Sequence, residues 1–198
     1  MASHERQSFR SWASSRPPSR ILVVRLHAIG DVGITFPWCR ALRKSLPGTR
    51  VDYLTSAPTA SLVTEAGAGD EVISLPLMTS RTERLWRATM TGLLLRRRGY
   101  DMVIDLQRNW VSRYLRLLIG PVAWGEFDRF SLLPAGERVE RVFRRIGMRL
   151  EPTFPTVITR EGRSRAASLL AEGGWDRRRD LILLNPAGLW PSRNWPGS

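Results

Sequence analysis

The sequence has one cysteine, one lysine and no long apolar run. Cys39 has no second cysteine to pair with, which excludes an intramolecular disulfide and fits a reducing, cytoplasmic location. Its place in a helical pattern predicts a small buried residue rather than a nucleophile. No apolar run approaches the roughly 20 residues that a membrane-spanning helix needs, so we do not expect an integral membrane protein.

Because Lys44 is the only lysine, nearly all of the basic residues are arginine. Lysine and arginine together number 31 against 18 acidic residues, which gives a formal net charge of +13. This charge suits nucleic acid, an anionic membrane surface or phosphorylated substrates, and an arginine-rich genome would produce it equally on solvated faces. No RNP, zinc or helix-turn-helix signature accompanies the charge, so nucleic acid is not the expected partner.

Residues 1–20 are rich in serine and arginine, and Glu5 is their only acid. They contain no apolar h-region, so we do not expect a secretory signal here. No part of this segment could bury a core face. We therefore predict a disordered basic tail over residues 1–19.

Short apolar segments alternate with helical patterns along the rest of the chain. About five such repeats predict an α/β fold, a Rossmann-like parallel sheet with helices on both faces. Pro37 interrupts the first helical pattern, where it predicts a kink or a restart. The predicted strands are 21–26, 50–55, 71–75, 101–106, 121–127 and 180–184. The predicted helices are 32–46, 58–66, 80–98, 110–119, 137–146 and 162–172.

Two prolines within residues 150–158 predict a domain boundary. We expect an N-terminal Rossmann-like domain over residues 20–150. Residues 151–198 would then hold a linker and the first elements of a second Rossmann-like domain. No helical pattern follows the strand predicted at 180–184, so the chain looks truncated.

The helix predicted at 80–98 combines a wide apolar face with many arginines. Ser80 stands three residues before Glu83, which is the spacing of a capping box. The arginines have two interpretations: they complement the helix C-terminus and are otherwise solvated, or they form a basic face toward anionic headgroups. The apolar face is predicted to consist of Leu85, Trp86, Thr89, Met90, Leu93 and Leu94.

Asp31 follows the first predicted strand, within the stretch ILVVRLHAIGDVGITFPWCR at 21–40. One interpretation is a helix N-cap, since aspartate is a leading residue at that position. The other is an ionised carboxylate at the carboxyl end of a strand, which could take a proton from an attacking hydroxyl. The same charge would repel a phosphate, and the G-x-G-x-x-G pattern is absent, so we do not expect a dinucleotide site.

Two further loops follow predicted strands and complete the candidate site. Gln107 and Asn109 lie at the carboxyl end of the strand 101–106, on the same sheet edge as Gly30 and Asp31. Residues 185–196 (NPAGLWPSRNWP) follow the strand 180–184. A small-residue loop that contains an arginine can hold a diphosphate, and the alternative is a disordered chain end.

Four segments together resemble glycosyltransferase family 9, the heptosyltransferases. They are ILVVRLHAIGDVGITFPWCRAL, LPGTRVDYLTS, YDMVIDLQ and LLNPAG…SRNWP, in the order and spacing of the family. The resemblance implies a two-domain GT-B enzyme at the cytoplasmic face of the inner membrane. It implies inverting transfer of heptose from ADP-heptose to the lipopolysaccharide inner core, on a lipid A–Kdo acceptor, with no metal or other cofactor.

The resemblance also assigns roles to individual residues. It makes Asp31 the general base. Gly30, Gln107 and Asn109 would lie on the acceptor side, and Asn185, Gly188 and Arg193 on the side of the donor diphosphate. The chain departs from the family at Arg108, where a glycine is usual, and at Arg193, where relatives have lysine. These motifs do not identify the sugar, so a relative that uses another nucleotide sugar and acceptor is one alternative. The other is a non-catalytic basic α/β module that binds nucleic acid or an anionic surface.

Overall fold

The structure is a computed structural model that describes residues 9–77, 79–152, 158–182 and 184. The chain divides into two compact units, Met1–Thr159 and Arg160–Ser198. Within the described part of the first unit, six strands form one sheet. The strands are β1 (Phe9–Arg10), β2 (Arg20–Val24), β3 (Arg50–Ser56), β4 (Glu71–Leu75), β5 (Met102–Asp105) and β6 (Ala123–Glu126).

The strand order in this sheet is β1-β6-β5-β2-β3-β4. Every neighbouring pair is parallel except β1 and β6, which are antiparallel. The chain runs outward from β2 through β3 to β4, and then returns to the other side of β2 for β5. The order of the strands therefore reverses between β2 and β5, and crevices that bind ligands form at such points.

Helices cover both faces of the sheet, which confirms the predicted α/β fold. One core cluster lies beneath α2, α3 and α6, and a second lies beneath α4 and α5. The helices are α1 (Ile29–Gly33), α2 (Phe36–Ser45), α3 (Ala57–Glu65), α4 (Arg81–Arg96), α5 (Trp110–Ile119), α6 (Ala135–Arg145) and, in the second unit, α7 (Arg160–Glu172).

The apolar run of β2 has the composition of a strand that is buried on both faces. Ile21 and Val23 belong to one core cluster, whereas Leu22 and Val24 belong to the other. A polar residue at any of these positions would be buried without a solvated face. This places β2 in the middle of the sheet and fixes the position of the loop that follows it.

The first predicted helix is divided in two, as Pro37 indicated. The short helix α1 begins at Ile29, and α2 restarts at Phe36 with Pro37 in its first turn, where a missing N–H breaks no hydrogen bond. Cys39 lies in α2 and is fully buried, as predicted. Its burial raises the pKa of the thiol to about 12, which keeps it protonated.

The predicted disordered tail over residues 1–19 is wrong for the described residues 9–19. The strand β1 pairs with the edge strand β6, and Trp12 packs against the first core cluster. The Trp12 backbone N–H also donates to the Ile146 carbonyl at 3.1 Å. An edge strand leaves unpaired backbone groups, and a short antiparallel strand with one anchoring tryptophan covers them despite the polar composition.

The predicted apolar face of α4 is not a core face. The helix buries Ala88, Gly92 and Leu95, which are smaller or lie on the opposite side. Gly92 is pressed against α5, where an added Cβ would stand 2.7 Å from Leu118 Cδ1. The predicted N-cap is confirmed, because the Ser80 hydroxyl accepts from the Glu83 backbone N–H at 3.1 Å.

The second unit contributes α7, close to the helix predicted at 162–172. The strand predicted at 180–184 is not formed by its described residues, 180–182 and 184. A strand requires a hydrogen-bonded neighbour, and the described residues of this unit provide none. None of the described helices combines the length and the apolar character that crossing a bilayer demands.

Candidate active site

The candidate site lies at the carboxyl edge of the sheet, where the loops after β2 and β5 meet. Gln107 follows β5, and its Oε1 accepts from the backbone N–H groups of Leu26 at 2.9 Å and His27 at 3.2 Å. The Gln107 Nε2 lies 3.3 Å from His27 Nε2. The predicted acceptor-side residue Gln107 therefore holds the loop that leads from β2 into α1.

Asp31 lies in the first turn of α1, and of its two interpretations the N-cap is wrong. The N-cap of α1 is Ala28, which has no side chain able to cap. Asp31 instead pairs with Arg25, whose Nη2 lies 2.6 Å from Asp31 Oδ2. The Asp31 side chain is 50% exposed, so the ion pair adds at most about 1 kcal/mol to stability. Its main effect is to orient the carboxylate.

Arg25 is buried and is held from several directions. Its Nη1 donates to the Leu106 carbonyl, and its guanidinium lies 5.2 Å from the centre of the Phe127 ring. Its Nε is buried without a hydrogen-bond partner among the described residues. An arginine fixed in this way leaves Asp31 little freedom at Oδ2. Among the described residues Asp31 Oδ1 accepts no hydrogen bond, so it can accept one from a ligand hydroxyl.

Arg25 was not among the residues that the sequence singled out. The available signal was a charged residue at the end of the apolar run ILVVRL, directly after the strand. Such a residue is buried only when a partner satisfies it. The sequence does not reveal that Asp31, six residues later, is that partner.

A cavity of about 380 Å³ opens beside the Gln107 contact. Its wall includes His27, Arg84, Asn109 and Trp110. Burial lowers the pKa of His27 from 6.5, and the positive charge of Arg25 lowers it further, so the imidazole is neutral near pH 7. Leu26, Leu75, Pro76, Leu77 and Val111 make up an apolar part of the same wall. The cavity therefore offers apolar surface together with an arginine and neutral hydrogen-bonding groups, which can contact the apolar and the charged parts of an acidic sugar.

Asn109 lines this cavity, but its side chain also has a structural task. It is the N-cap of α5, and its Oδ1 accepts from the Ser112 backbone N–H at 2.9 Å. The Ser112 hydroxyl in turn accepts from the Asn109 backbone N–H, which completes a capping box. The Asn109 amide nitrogen is the part of this side chain that could reach a ligand.

Gly30, the residue before Asp31, lies in the wall of an apolar depression of about 570 Å³. Phe36, Trp38 and Ile158 line the same depression. A Cβ added to Gly30 would meet no atom within 4 Å. The packing of this chain therefore does not require glycine at position 30. The space next to Gly30 is open, and it lies beside Asp31.

A buried carboxylate supports the loop after β5. Asp105 Oδ1 accepts from the backbone N–H groups of Gln107 at 3.0 Å and Arg108 at 2.8 Å. Asp105 Oδ2 accepts from the Ser112 hydroxyl at 2.8 Å. Burial raises the pKa of Asp105 to about 6, and the negative charge of Glu126 adds to that rise, whereas the hydrogen bonds oppose it.

Arg108, the residue that departs from the family pattern, has a positive φ of 46°. This left-handed conformation costs about 1–2 kcal/mol for a residue with a Cβ and costs glycine almost nothing. The side chain is buried and pairs with Asp128 at 3.2 Å, and it lies 3.9 Å from Glu126. These contacts offset the backbone strain. Glycine, which is usual here in the family that the sequence resembles, would adopt the same positive φ without strain.

The residues predicted on the donor side, Asn185, Gly188 and Arg193, lie outside the described residues. Among the residues that the structure does describe, no three His, Cys, Asp or Glu side chains are grouped to hold a metal ion. The prediction that the reaction needs no metal stays a prediction.

Comparisons with known proteins give structural matches only. No protein-family model matches the chain, and no curated protein matches it. The glycosyl transferase family 9 structure from Veillonella parvula aligns with a TM-score of 0.73 and 21% identity, over 90% of this chain and 56% of that one. The ADP-heptose lps heptosyltransferase II of E. coli aligns with a TM-score of 0.54 and 17% identity, over 77% of this chain and 50% of that one.

A third structure, the E. coli heptosyltransferase WaaC with ADP, aligns with a TM-score of 0.49 and 19% identity, over 69% of this chain and 50% of that one. The identities are low, so the likeness extends to the fold alone. The chain has the GT-B domain fold of the glycosyltransferase family 9 structures and spans about half of their length, which confirms the resemblance at the level of the fold.

Proposed function

We propose that this chain supplies the acceptor side of an inverting glycosyltransferase that moves heptose from ADP-heptose to the lipopolysaccharide inner core. The single observation that carries the proposal is the Asp31 carboxylate, oriented by buried Arg25 at 2.6 Å and half exposed at the switch point of the sheet. The sequence resemblance supports the choice of reaction. The fold shared with an ADP-heptose lps heptosyltransferase is consistent with it.

Asp31 is the general base of the proposed reaction. An acceptor hydroxyl hydrogen-bonded to the free Oδ1 attacks the anomeric carbon of the donor sugar. The new C–O bond forms as the bond to the ADP oxygen breaks, and the hydroxyl proton passes to Asp31. Arg25 acts as a positioning residue, because it holds the other carboxylate oxygen and does not itself reach a reacting atom.

The acceptor would occupy the sheet edge beside Asp31. Gly30 leaves open space next to Asp31, and Asn109 and Arg84 line the cavity of about 380 Å³ at the same sheet edge. The proposed acceptor is a lipid A–Kdo type molecule, whose acidic sugars suit an arginine. Asn185, Gly188 and Arg193 are proposed to hold the donor diphosphate. A lipid-borne acceptor would bring the protein to the cytoplasmic face of the inner membrane.

The proposal is tested with Asp31→Asn in a transfer assay with ADP-heptose and a lipid A–Kdo acceptor. The chain spans about half the length of its structural matches, so the assay uses both this chain and the product of its complete coding sequence. Transfer should fall by at least about a hundredfold, because asparagine keeps the shape of the side chain and cannot take the proton.

Asp70→Asn is the matched control. Asp70 is also partly exposed, and it pairs with Arg43 at the same 2.6 Å, in the loop before β4. It should lose a little stability and no transfer. Full transfer by Asp31→Asn contradicts the assignment of the base. If the wild type transfers sugar from another nucleotide sugar and not from ADP-heptose, the assignment of Asp31 as the base stands and ADP-heptose is replaced as the donor.

A further inference from the structure

The helix α4 presents large apolar side chains to solvent. Only Ala88, Gly92 and Leu95 of this helix are buried. Its exposed apolar residues each keep between 41% and 61% of their accessible surface. Single exposed apolar residues are ordinary, whereas a contiguous apolar patch marks an interaction site. The exposed residues are Leu85, Trp86, Met90, Leu93 and Leu94.

Packing within the fold does not account for these side chains. The helix approaches α5 so closely that a Cβ on Gly92 would meet Leu118 at 2.7 Å. The side that faces the fold is therefore made of small residues together with Leu95. Trp86, Met90 and Leu93 follow the spacing i, i+4, i+7, so they form one stripe on the outward side.

An arginine also borders this stripe at its C-terminal end. Arg97 follows the last turn of α4, four residues after Leu93 on the same side of the helix, and it is exposed. Arg87 lies 6.0 Å from the centre of the Trp86 ring and pairs with Glu83, the only acid of the helix. An apolar stripe with a tryptophan and bordering arginines has the composition of a helix that lies in a membrane interface.

We propose that the outward face of α4, defined by Trp86, Met90 and Leu93 with Arg97, docks this protein on an anionic lipid bilayer. Charge complementarity selects this occupant, because the chain carries a formal net charge of +13, Arg97 lies on the face and Arg87 lies beside Trp86. A second copy of the chain would bring like charges together across a symmetric contact.

This docking adds a membrane contact to the proposed function. Only the identity of the membrane, the bacterial inner membrane, rests on that proposed function. Arg84 lies on α4 and also lines the cavity of about 380 Å³ at the sheet edge. A bilayer against α4 would therefore lie beside the opening into which a lipid-borne sugar must reach. The docking itself requires neither donor nor acceptor.

The test uses the buried state of Cys39. Because this thiol is fully buried and its pKa is raised to about 12, a label attaches only to an introduced cysteine. Leu93→Cys and the control Leu132→Cys each receive a fluorophore that shifts to the blue in an apolar environment. Both positions are exposed, and Leu132 lies in the loop before α6.

The labelled proteins are mixed with vesicles of phosphatidylcholine containing one-third phosphatidylglycerol, and with vesicles of phosphatidylcholine alone. We expect a blue shift for Leu93→Cys with the anionic vesicles only, and none for Leu132→Cys. Replacing Arg97 by glutamine should weaken vesicle binding by about fivefold. Arg81→Gln removes the same charge from the side of α4 that carries Ala88 and Leu95, so it should weaken binding less. Trp86→Ser should weaken it further, with an unchanged circular dichroism spectrum.

Three outcomes overturn the proposal. Equal shifts at both labelled positions would indicate unspecific adsorption. A blue shift without vesicles that grows with protein concentration would assign the face to a second copy. Vesicle binding that is absent, or unchanged by the substitutions of Arg97 and Trp86, would remove the face as a lipid site. These vesicles contain no sugar acceptor, so a failed transfer assay leaves this result unaffected.

Discussion

Replacing Asp105 with asparagine should change how the stability of this protein depends on pH. Asparagine keeps the hydrogen bonds of the site, because its Oδ1 can accept from the Gln107 and Arg108 backbone N–H groups as Asp105 Oδ1 does. Its Nδ2 can donate to the Ser112 hydroxyl, which in turn can donate to the Asn109 carbonyl. The substitution therefore removes the charge and preserves the packing.

The magnitude follows from the pKa of Asp105, which burial raises from 3.8 to about 6 in the folded protein. Between these two values the folded state binds a proton that the unfolded state has released, so stability falls as the pH rises through this window. At roughly 1.4 kcal/mol per pKa unit, the ionisation of Asp105 lowers the free energy of unfolding by about 3 kcal/mol. This loss is complete above pH 6 and absent below about pH 4.

Urea unfolding of the wild type and of Asp105→Asn at several pH values between 4 and 7.5 measures this effect. The other carboxylates are common to both proteins, so the difference between their free energies of unfolding isolates Asp105. Relative to the wild type, the free energy of unfolding of Asp105→Asn should rise by about 3 kcal/mol between pH 4 and pH 7. A constant difference, or one that favours the wild type as the pH rises, would refute the reasoning, since the three hydrogen bonds would then outweigh burial.

Three smaller predictions concern other positions of the first unit. Arg108→Gly should be about 1 kcal/mol more stable than Arg108→Ala in urea unfolding, because both lose the same ion pairs and only glycine relieves the positive φ; equal stabilities would contradict this. Gly125→Ala should lose about 1–3 kcal/mol, because its Cβ would stand 2.7 Å from Ile146 Cγ2, whereas Gly30→Ala should lose none. Cys39 should stay unreactive toward a thiol reagent at pH 8 until the protein unfolds, and rapid native labelling would disprove its burial.

The strands and helices of the first unit were predictable because their patterns are local. A run such as ILVV, apolar on both faces, has few alternatives to a central parallel strand, and the helical periods on either side agree with it. Pro37 identified the break between α1 and α2 because its effect depends only on its own ring. The strand predicted at 180–184 failed because a strand also needs a neighbour, which no local pattern provides.

Contacts between distant elements were not predictable from the sequence. The periodicity of α4 gave its apolar side correctly, but which side faces the fold depends on how closely α5 approaches at Gly92. Trp12 is anchored by contacts with residues more than a hundred positions away, so a polar composition predicted disorder. The Arg25–Asp31 pair spans six residues, yet it needs the turn between β2 and α1 to form.

Gln107 illustrates how a motif residue can serve the site without reaching the ligand. A carboxamide oxygen has two lone pairs, and Gln107 Oε1 already accepts from Leu26 and His27. Only its Nε2 could donate a hydrogen bond to the acceptor substrate, and that nitrogen lies 3.3 Å from His27 Nε2. Arg25 connects the same two loops a second time, because it donates to the Leu106 carbonyl after β5 and pairs with Asp31 after β2. The Asp-Leu-Gln segment therefore acts on Asp31 mainly by joining the ends of two adjacent strands, and a change at Gln107 should displace the carboxylate before it weakens any contact with the acceptor.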